Sequence, residues 1–189
     1  MPKAAPSTDA PLQAPTALPP ARGEGGFTLI EFLVVISILA ILLSVGVPSF
    51  VHFLANNRLT AAANGLLTDI QMARSEAGRA NRAVTVCPTS DQVACSSDWS
   101  LGRMIFIDAD GSGGRNGGEV LIRFSPVAPG LGTVTAAGFP SASLVRFRST
   151  GEADGTGTIT ICDEHDPALA RRLNVSATGR PDITKIACP

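Results

Sequence analysis

The sequence predicts an α+β fold in which one long N-terminal helix packs on an antiparallel β domain. The first observation is an apolar pattern of helical period that continues to about Ala80. The second is a change to a period of two from Ala83 onward, in short β-branched segments separated by Gly, Pro, Ser and Asp. Because a single helix precedes all the strands, and the strands have hairpin-length links, the order favours α+β.

An apolar segment from Phe27 to Val47 opens this helix. At about 1.5 Å per residue, about twenty residues suffice to cross the roughly 30 Å hydrocarbon core of a bilayer. We therefore predict a transmembrane helix over residues 27–53. Gly46 and Pro48 lie near its end, and they predict a kink or local melting because proline lacks a backbone donor and clashes with the preceding turn.

Glu31 is the one ionisable residue in the apolar segment from Phe27 to Val47. A carboxylate in lipid costs a few kcal/mol unless it is neutralised or paired. One interpretation is a capping box with Thr28, near the positive end of the helix dipole. The interpretation we favour begins at Gly25-Gly26-Phe27, a small-residue site where a peptidase could leave a new amine on Phe27. In an assembly of parallel helices, Glu31 of one subunit would pair with that amine of its neighbour.

The second half of the helix, residues 54–81, is predicted to be amphipathic and to pack on a sheet. Its apolar stripe recurs every three or four residues and consists of Leu59, Ala62, Leu66, Ile70, Ala73, Ala77 and Ala80. The opposite face predicts a solvated surface and carries Asn56, Asn57, Arg58, Asp69, Arg74 and Arg79.

Eight short segments follow in the β domain, which we place at residues 82–189. We predict strands near 83–87, 103–107, 120–124, 133–136, 144–148, 158–162, 173–176 and 183–187. This part of the chain is long enough for one modest core.

Residues 1–26 are rich in Pro and Ala and lack a periodic apolar pattern. Such a segment buries too little apolar surface to offset its ordering entropy, so we predict a disordered leader. Lys3 and Arg22 precede the span, and the positive-inside rule then places the leader in the cytoplasm and the body outside. The net charge is −1, so global charge does not favour nucleic acid or an anionic membrane surface as a partner.

The stretch G-G-F-T-L-I-E-F-L-V-V-I, which begins at Gly25, resembles the processing and assembly motif of type IV pilins and type II secretion pseudopilins. The resemblance implies cleavage between Gly26 and Phe27 by a prepilin peptidase, N-methylation of Phe27, and assembly with other pilins or pseudopilins through the N-terminal helix and Glu31. It also implies a single-pass inner-membrane protein whose C-terminal domain is periplasmic or part of an extracytoplasmic filament.

The sequence of the β domain narrows the resemblance to one branch of these proteins. The stretches N-R-A-V-T-V-C-P, D-x-x-x-C and W-S-L-G-R-M-I-F-I-D-A-D-G, which lie between Asn81 and Gly111, are similar to the GspH/FimT branch. This branch holds pseudopilin H of type II secretion and the FimT minor pilins. It implies a type IV pilin-like fold and a structural and interaction subunit, with a DNA-binding minor pilin for natural transformation as the alternative.

Four cysteines allow three pairings. We favour Cys87 with Cys95, which are close in sequence across a polar loop, and Cys162 with Cys188. The exported body permits oxidation, and each disulfide would stabilise by about 2–4 kcal/mol. Zinc and redox exchange are weaker alternatives, since the sequence has no C-x-x-C and no histidine at zinc-finger spacing.

Residues 108–119 match a twelve-residue calcium loop, with Gly113 at the sixth position, where the chain must turn. The candidate oxygen ligands are Asp108, Asp110, Ser112, Asn116 and Glu119. However, the flanking segments are strands, and Gly with Asp also suits a hairpin tip. We favour a hairpin without metal and keep calcium as the alternative cofactor.

DNA is a disfavoured partner. FimT proteins that bind DNA resemble one another in a C-terminal G-R-x-R, but the matching stretch here is Gly179-Arg180-Pro181-Asp182, with aspartate at the second arginine. An acidic residue there opposes phosphate binding. We therefore predict weak or absent DNA binding, with residual contacts only from Arg180 and from Arg146, Arg148, Arg171, Arg172 and Lys185.

We do not predict an enzyme. The chain has two histidines, His52 and His165, and no Ser or Cys can be tied to either as a nucleophile and base pair. A P-loop and a dinucleotide-binding fingerprint are also absent from the sequence. The remaining class is a structural and interaction protein.

Overall fold

The computed structural model describes residues 26–126 and 128–189. Of the predicted leader, only Gly26 belongs to the described residues. The described chain contains one helix, α1, and eight strands. It forms two units, with the boundary between Ser44 and Val45.

Helix α1 spans Leu29–Ala80. It begins at a cap, in which the Thr28 hydroxyl accepts a hydrogen bond of 3.2 Å from the backbone N–H of Glu31. Between its ends, the helix is continuous through Gly46 and Pro48. Of the two predicted alternatives, local melting is therefore not seen in the structure. A kink at Pro48 stays a prediction.

The helix ends as predicted at Ala80. Asn81 follows with a φ of 50°, and the N–H of Arg82 donates to the Ala77 carbonyl at 3.3 Å. This left-handed residue with a bond back to the last turn is a Schellman ending, which satisfies a helix carbonyl that would otherwise lack a partner.

In the N-terminal unit, every described residue is exposed and most are apolar. The hydroxyls of Ser37 and Ser44 donate to the carbonyls of Leu33 and Ile41, each at 2.7 Å. The helix therefore satisfies its own polar groups, which is what a segment in lipid requires.

In the second unit, burial of the helix begins at Ala55. The buried face follows the predicted stripe, with Ala62 and Ala80 half-buried at its margin. Its buried members are Ala55, Leu59, Ala63, Leu66, Asp69, Ile70, Ala73 and Ala77.

All eight predicted strands are present. They are β1 Val84–Thr89, β2 Gly102–Ile107, β3 Leu121–Ser125, β4 Leu131–Ala137, β5 Val145–Phe147, β6 Gly157–Asp163, β7 Ala170–Val175 and β8 Pro181–Ile186.

The strands form two antiparallel sheets of four strands each. Sheet A has the order β3-β2-β1-β5, and sheet B has the order β4-β6-β7-β8. In each sheet, most neighbouring strands are consecutive in the chain and form hairpins. The exceptions are the pairs β1–β5 and β4–β6, whose strands are not consecutive. The α+β class and the type IV pilin-like arrangement of a helix on an antiparallel domain are confirmed.

One core joins the helix to both sheets. Leu59, Leu66 and Ile70 are at most 1% exposed, and each such buried side chain contributes about 1.5–3 kcal/mol. Sheet A supplies Val84, Val86, Ile105, Val145 and Phe147, and sheet B supplies Ile159, Ile161, Leu173 and Val175. The alternate positions of sheet A form a second cluster of Cys87, Met104 and Phe106, as the strand period of two requires.

Asp69 corrects one sequence prediction. It was placed on the solvated face, but it is only 1% exposed. Its carboxylate accepts bonds from Arg103 Nη2 at 2.8 Å and Nε at 3.1 Å, and from Ser125 Oγ at 3.0 Å. The Arg103 guanidinium and the Ser125 hydroxyl of sheet A thus compensate the burial of the Asp69 carboxylate. The helical period alone cannot indicate such partners, because they lie on other elements of the fold.

We predict that Asp69→Ala destabilises the chain by about 3–5 kcal/mol, because it leaves the Arg103 charge partly buried without its partner. Urea unfolding in detergent measures this loss through Trp99, the one tryptophan, which is 2% exposed. Glu76→Ala is the control on the same helix, since Glu76 pairs with a solvent-exposed Arg79 and should matter far less. A loss of stability below about 1 kcal/mol for Asp69→Ala would contradict this prediction, because it would mean that the Asp69–Arg103 pair contributes no more than an exposed surface ion pair.

Candidate functional site

The N-terminal end of α1 is the first candidate site. Phe27 is 85% exposed and the Glu31 side chain is also exposed. Only half of the capping box forms, since the Thr28 hydroxyl accepts the Glu31 N–H. Among the described residues, no hydrogen bond or ion pair reaches the Glu31 carboxylate. The cap therefore uses the backbone N–H of Glu31, and its carboxylate has no partner within the described part of the chain.

The apolar surface around this end is large. The side chains from Leu29 to Leu54 are exposed on every face of the helix. A helix that is apolar all round is typical of a membrane span or a bundle interior. By length and composition, α1 is suited to cross a membrane.

The four cysteines form two disulfides in the favoured pairing. Cys87 pairs with Cys95 at a Cα–Cα distance of 5.6 Å, and Cys162 pairs with Cys188 at 5.5 Å. The first closes the loop after β1. The second ties the segment after β8 to β6, and the N–H of Cys188 also donates to the Pro167 carbonyl at 2.8 Å.

The loop between β2 and β3 is the second candidate site, and Asp108 anchors it. This residue is 1% exposed, and its Oδ2 accepts bonds from Thr85 Oγ1 at 2.9 Å and from the Gly113 N–H at 3.0 Å. Arg146 Nη1 lies 3.8 Å from the same oxygen. Thr85 and Arg146 were not predicted for this site. Thr85 is buried on β1, and the period of two, which puts it on the face opposite Val84 and Val86, was a usable signal.

The predicted ligand residues are close together in this loop. Atoms of Asp108, Asp110 and Glu119 all lie within 4.8 Å of one another. Asn116 Nδ2 donates to Asp110 Oδ2 at 2.7 Å, and Ser112 N–H donates to Asp110 Oδ1 at 2.9 Å. The Ser112 N–H and hydroxyl, followed by Asn116, hold the pKa of Asp110 below its ordinary value despite an opposing effect of burial.

Glu119 closes the loop from its other end. Its Oε1 accepts from the Ala109 N–H at 2.7 Å and its Oε2 from the Asn116 N–H at 2.9 Å. Strands β2 and β3 pair antiparallel on either side. The predicted hairpin is therefore present, and its loop carries three converging carboxyl groups.

The third candidate site is the turn between β7 and β8. Arg180 is exposed, and with Asp182 it lines an open groove of about 660 Å³ on sheet B. The aspartate that replaces the second arginine thus faces the same groove as Arg180.

Three of the arginines considered for phosphate contact bind other groups of the chain. Arg171 is 4% exposed and donates to Asn56 on α1. Arg146 donates to Asp154, which also accepts a bond of 2.7 Å from Arg148. Burial raises the pKa of Asp154, but the two guanidinium groups outweigh it and hold this pKa below its ordinary value.

The comparisons with known proteins agree with this architecture. The family described as type II transport protein GspH matches residues 62–179, and the prokaryotic N-terminal methylation motif matches residues 21–47. A search of curated proteins finds no match to the chain.

Two crystal structures of the type IV minor pilin FimU from Pseudomonas aeruginosa strain PAO1 are similar to this chain. One has 27% identity and a TM-score of 0.55, and covers 70% of this chain and 92% of FimU. The other has 26% identity and a TM-score of 0.51, and covers 67% and 92%. The minor pseudopilin EpsH of the Vibrio cholerae type 2 secretion system has 14% identity and a TM-score of 0.48, and covers 68% and 97%.

The family match extends over most of the body, and the methylation motif matches at the start of α1, where the helix carries Glu31. The chain therefore belongs to the type II transport protein GspH family, a family of minor pilins and pseudopilins.

Proposed function

We propose that this chain is a minor subunit of a type IV pilus or of a type II secretion pseudopilus. A prepilin peptidase cuts it between Gly26 and Phe27, and Phe27 is then methylated. Residues 27–53 hold it in the inner membrane as a single span, and the β domain lies in the periplasm or in the filament. It acts as a structural and interaction subunit and not as an enzyme.

The carboxylate of Glu31 is the observation that carries this proposal. It lies four residues beyond the proposed new amine, in an exposed apolar helix, and among the described residues it has no partner. A charge in lipid without a partner is costly, so the stable state of the processed chain supplies one. The amine on Phe27 of a neighbouring subunit has the required charge and the required depth in the membrane.

The apolar surface supports the same assembly. Helices that are apolar on every face gain by packing against one another through close contacts, and a small residue such as Gly46 permits close approach. A Cβ at Gly46 would meet no described atom within 4 Å, so the space beside it is open to a neighbouring helix.

We predict that Gly26→Ala blocks processing by a co-expressed prepilin peptidase, because the added methyl group lies directly beside the bond to be cut. Mass spectrometry of the purified chain would then show the leader still attached, whereas the wild-type chain would lack it. A Cβ at Gly26 would clash with no atom among residues 26–126 and 128–189, so a loss of cleavage would not arise from misfolding of this part of the chain.

Gly46→Ala is the matched control for this experiment, since it adds the same methyl group at an equally open position of the chain. It should be processed normally. A wild-type chain recovered from filaments with its leader intact would contradict the proposed cleavage site.

We predict that Glu31→Ala is processed but enters filaments at less than about a tenth of the wild-type level, since removing a buried partner costs more than 1.4 kcal/mol, a factor of ten. Immunoblots of sheared filaments, normalised to membrane-bound chain, measure the incorporation. The variant keeps the backbone N–H that forms the helix cap.

Thr28→Ala is the complementary control, because it removes the cap hydroxyl, worth about 1 kcal/mol, and keeps the carboxylate. If Thr28→Ala abolished incorporation and Glu31→Ala did not, the capping-box interpretation would be right and the intersubunit pair wrong.

The alternative function, a DNA-binding minor pilin, has less support. Arg180 shares its groove with Asp182, and Arg171 and Arg146 are bound to other groups of the chain. A phosphate backbone entering this groove would meet one arginine and one opposing carboxylate.

We therefore predict that the processed chain in detergent shows no gel shift with double-stranded DNA at about 150 mM salt, where non-specific binders have dissociation constants of about 10⁻⁴–10⁻⁶ M. Asp182→Arg should create measurable, salt-sensitive binding, because it restores a second positive charge in the groove. Submicromolar binding by the wild-type chain that Arg180→Ala abolishes would establish the DNA-binding alternative.

A further inference from the structure

The loop between β2 and β3 concentrates negative charge at one point. Carboxyl atoms of Asp108, Asp110 and Glu119 lie within 4.8 Å of one another. Like charges at such distances repel, and one of the three, Asp108, is withdrawn from solvent. This arrangement needs a compensating cation.

Asp108 supplies a second and independent observation. Its Oδ2 is satisfied by Thr85 and by the N–H of Gly113, but its Oδ1 is buried and has no hydrogen-bond partner among the described residues. A buried acceptor without a partner is costly, and a carboxylate oxygen more so than a neutral one. An ion in the loop would satisfy this oxygen.

Neutral oxygens converge on the same loop. The Ser112 hydroxyl donates a hydrogen bond of 3.1 Å to the Gly114 carbonyl oxygen, so these two oxygens lie side by side in the loop, and both are of the kind that calcium binds. The Asn116 amide lies 2.7 Å from Asp110, and a half-turn of that amide would present its oxygen in place of its nitrogen. Gly113 has a φ of 79°, the left-handed conformation that the sharp turn at the sixth position requires.

Two arginines lie in or near the loop. Arg115 donates to the Gln92 carbonyl at 2.9 Å and, among the described residues, forms no ion pair with the loop carboxylates. Arg146 Nη1 is 3.8 Å from Asp108, beyond hydrogen-bond distance, and it donates to the Gly111 carbonyl instead. Its Nε is bound to Asp154. One guanidinium shared in this way leaves a net negative charge among the three carboxylates.

We propose that residues 108–119 bind one calcium ion, a property separate from the filament function proposed above. All the donor atoms are oxygens, which argues against zinc, because zinc prefers nitrogen and sulfur ligands. The number of oxygens and the flexibility of the loop suit calcium better than magnesium, which requires a near-ideal octahedron. The ligands are Asp108, Asp110, Ser112, the Gly114 carbonyl, Asn116 and Glu119.

The bound ion would stabilise more than the loop itself. Asp108 is bonded to Thr85 of β1, and Glu119 caps the N–H groups of Ala109 and Asn116. An ion that joins the two carboxylates therefore connects both ends of the loop to sheet A. Calcium should raise the unfolding temperature of the whole β domain.

The test is a calorimetric titration of the full processed chain in detergent, stripped with EDTA, with calcium chloride. We expect one site with a dissociation constant of about 10⁻⁴–10⁻³ M, the range of extracytoplasmic calcium modules, and a rise of a few degrees in unfolding temperature at saturation. No heat and no thermal shift at about 10 mM calcium, ten times the weakest value expected, would overturn the proposal.

Asp110→Asn and Glu119→Gln remove ligand charge without removing bulk, and each should weaken calcium binding at least ten-fold. Glu164→Gln, an exposed acidic residue outside the loop, is the matched control and should bind like the wild type. Calcium affinity unchanged in both loop variants would overturn the assignment of the site. Equal affinity for magnesium would overturn the assignment of the ion.

Discussion

Burial of the apolar stripe of α1 is the interaction on which the rest of the body depends. Leu59, Leu66 and Ile70 contact a core to which both sheets contribute, so neither sheet has a complete apolar partner without the helix. Two four-stranded sheets of short strands are small on their own, and a shared helix gives them a single core. Asp69 makes the orientation of the helix specific, because its hydrogen bonds to Arg103 and Ser125 fix the rotation of the helix about its axis relative to sheet A.

The functional groups lie where this core ends. Before Ala55 no described residue of the helix is buried, and the recorded side-chain contact of this part to the β domain is that of His52 Nδ1 with Asp166 Oδ2 at 3.2 Å. The apolar surface and the Glu31 carboxylate are therefore exposed in the described chain. At the edges of the sheets, the β2–β3 loop and the β7–β8 turn carry polar groups that the core does not use. The two proposals therefore concern separate parts of the chain, since assembly is proposed for the helix and calcium binding for the β2–β3 loop.

The carboxylates of Asp69, Asp154, Glu31 and the Asp108 loop differ in how far the described chain compensates their charge. Asp69 is compensated inside the chain by Arg103. Asp154 is compensated by Arg146 and Arg148, which outweigh the effect of its burial. Glu31 and the Asp108 loop are not fully compensated by described residues, which is why the two proposals concern an external amine and an external cation.

The sequence by itself determined the elements and the motifs, since these depend on local periodicity and on short patterns. The helix to Ala80, the eight strands and the methylation motif were all predictable for this reason. Only the tertiary structure decided which polar residues are buried, because burial depends on what faces a residue across the fold. Asp69 and Arg171 look like surface residues in a helical or strand pattern, yet partners from distant parts of the chain cover them. The spacing of the loop residues likewise does not predict that Asp108 Oδ1 is buried without a hydrogen-bond partner among the described residues, because this results from how β1 and the loop pack together.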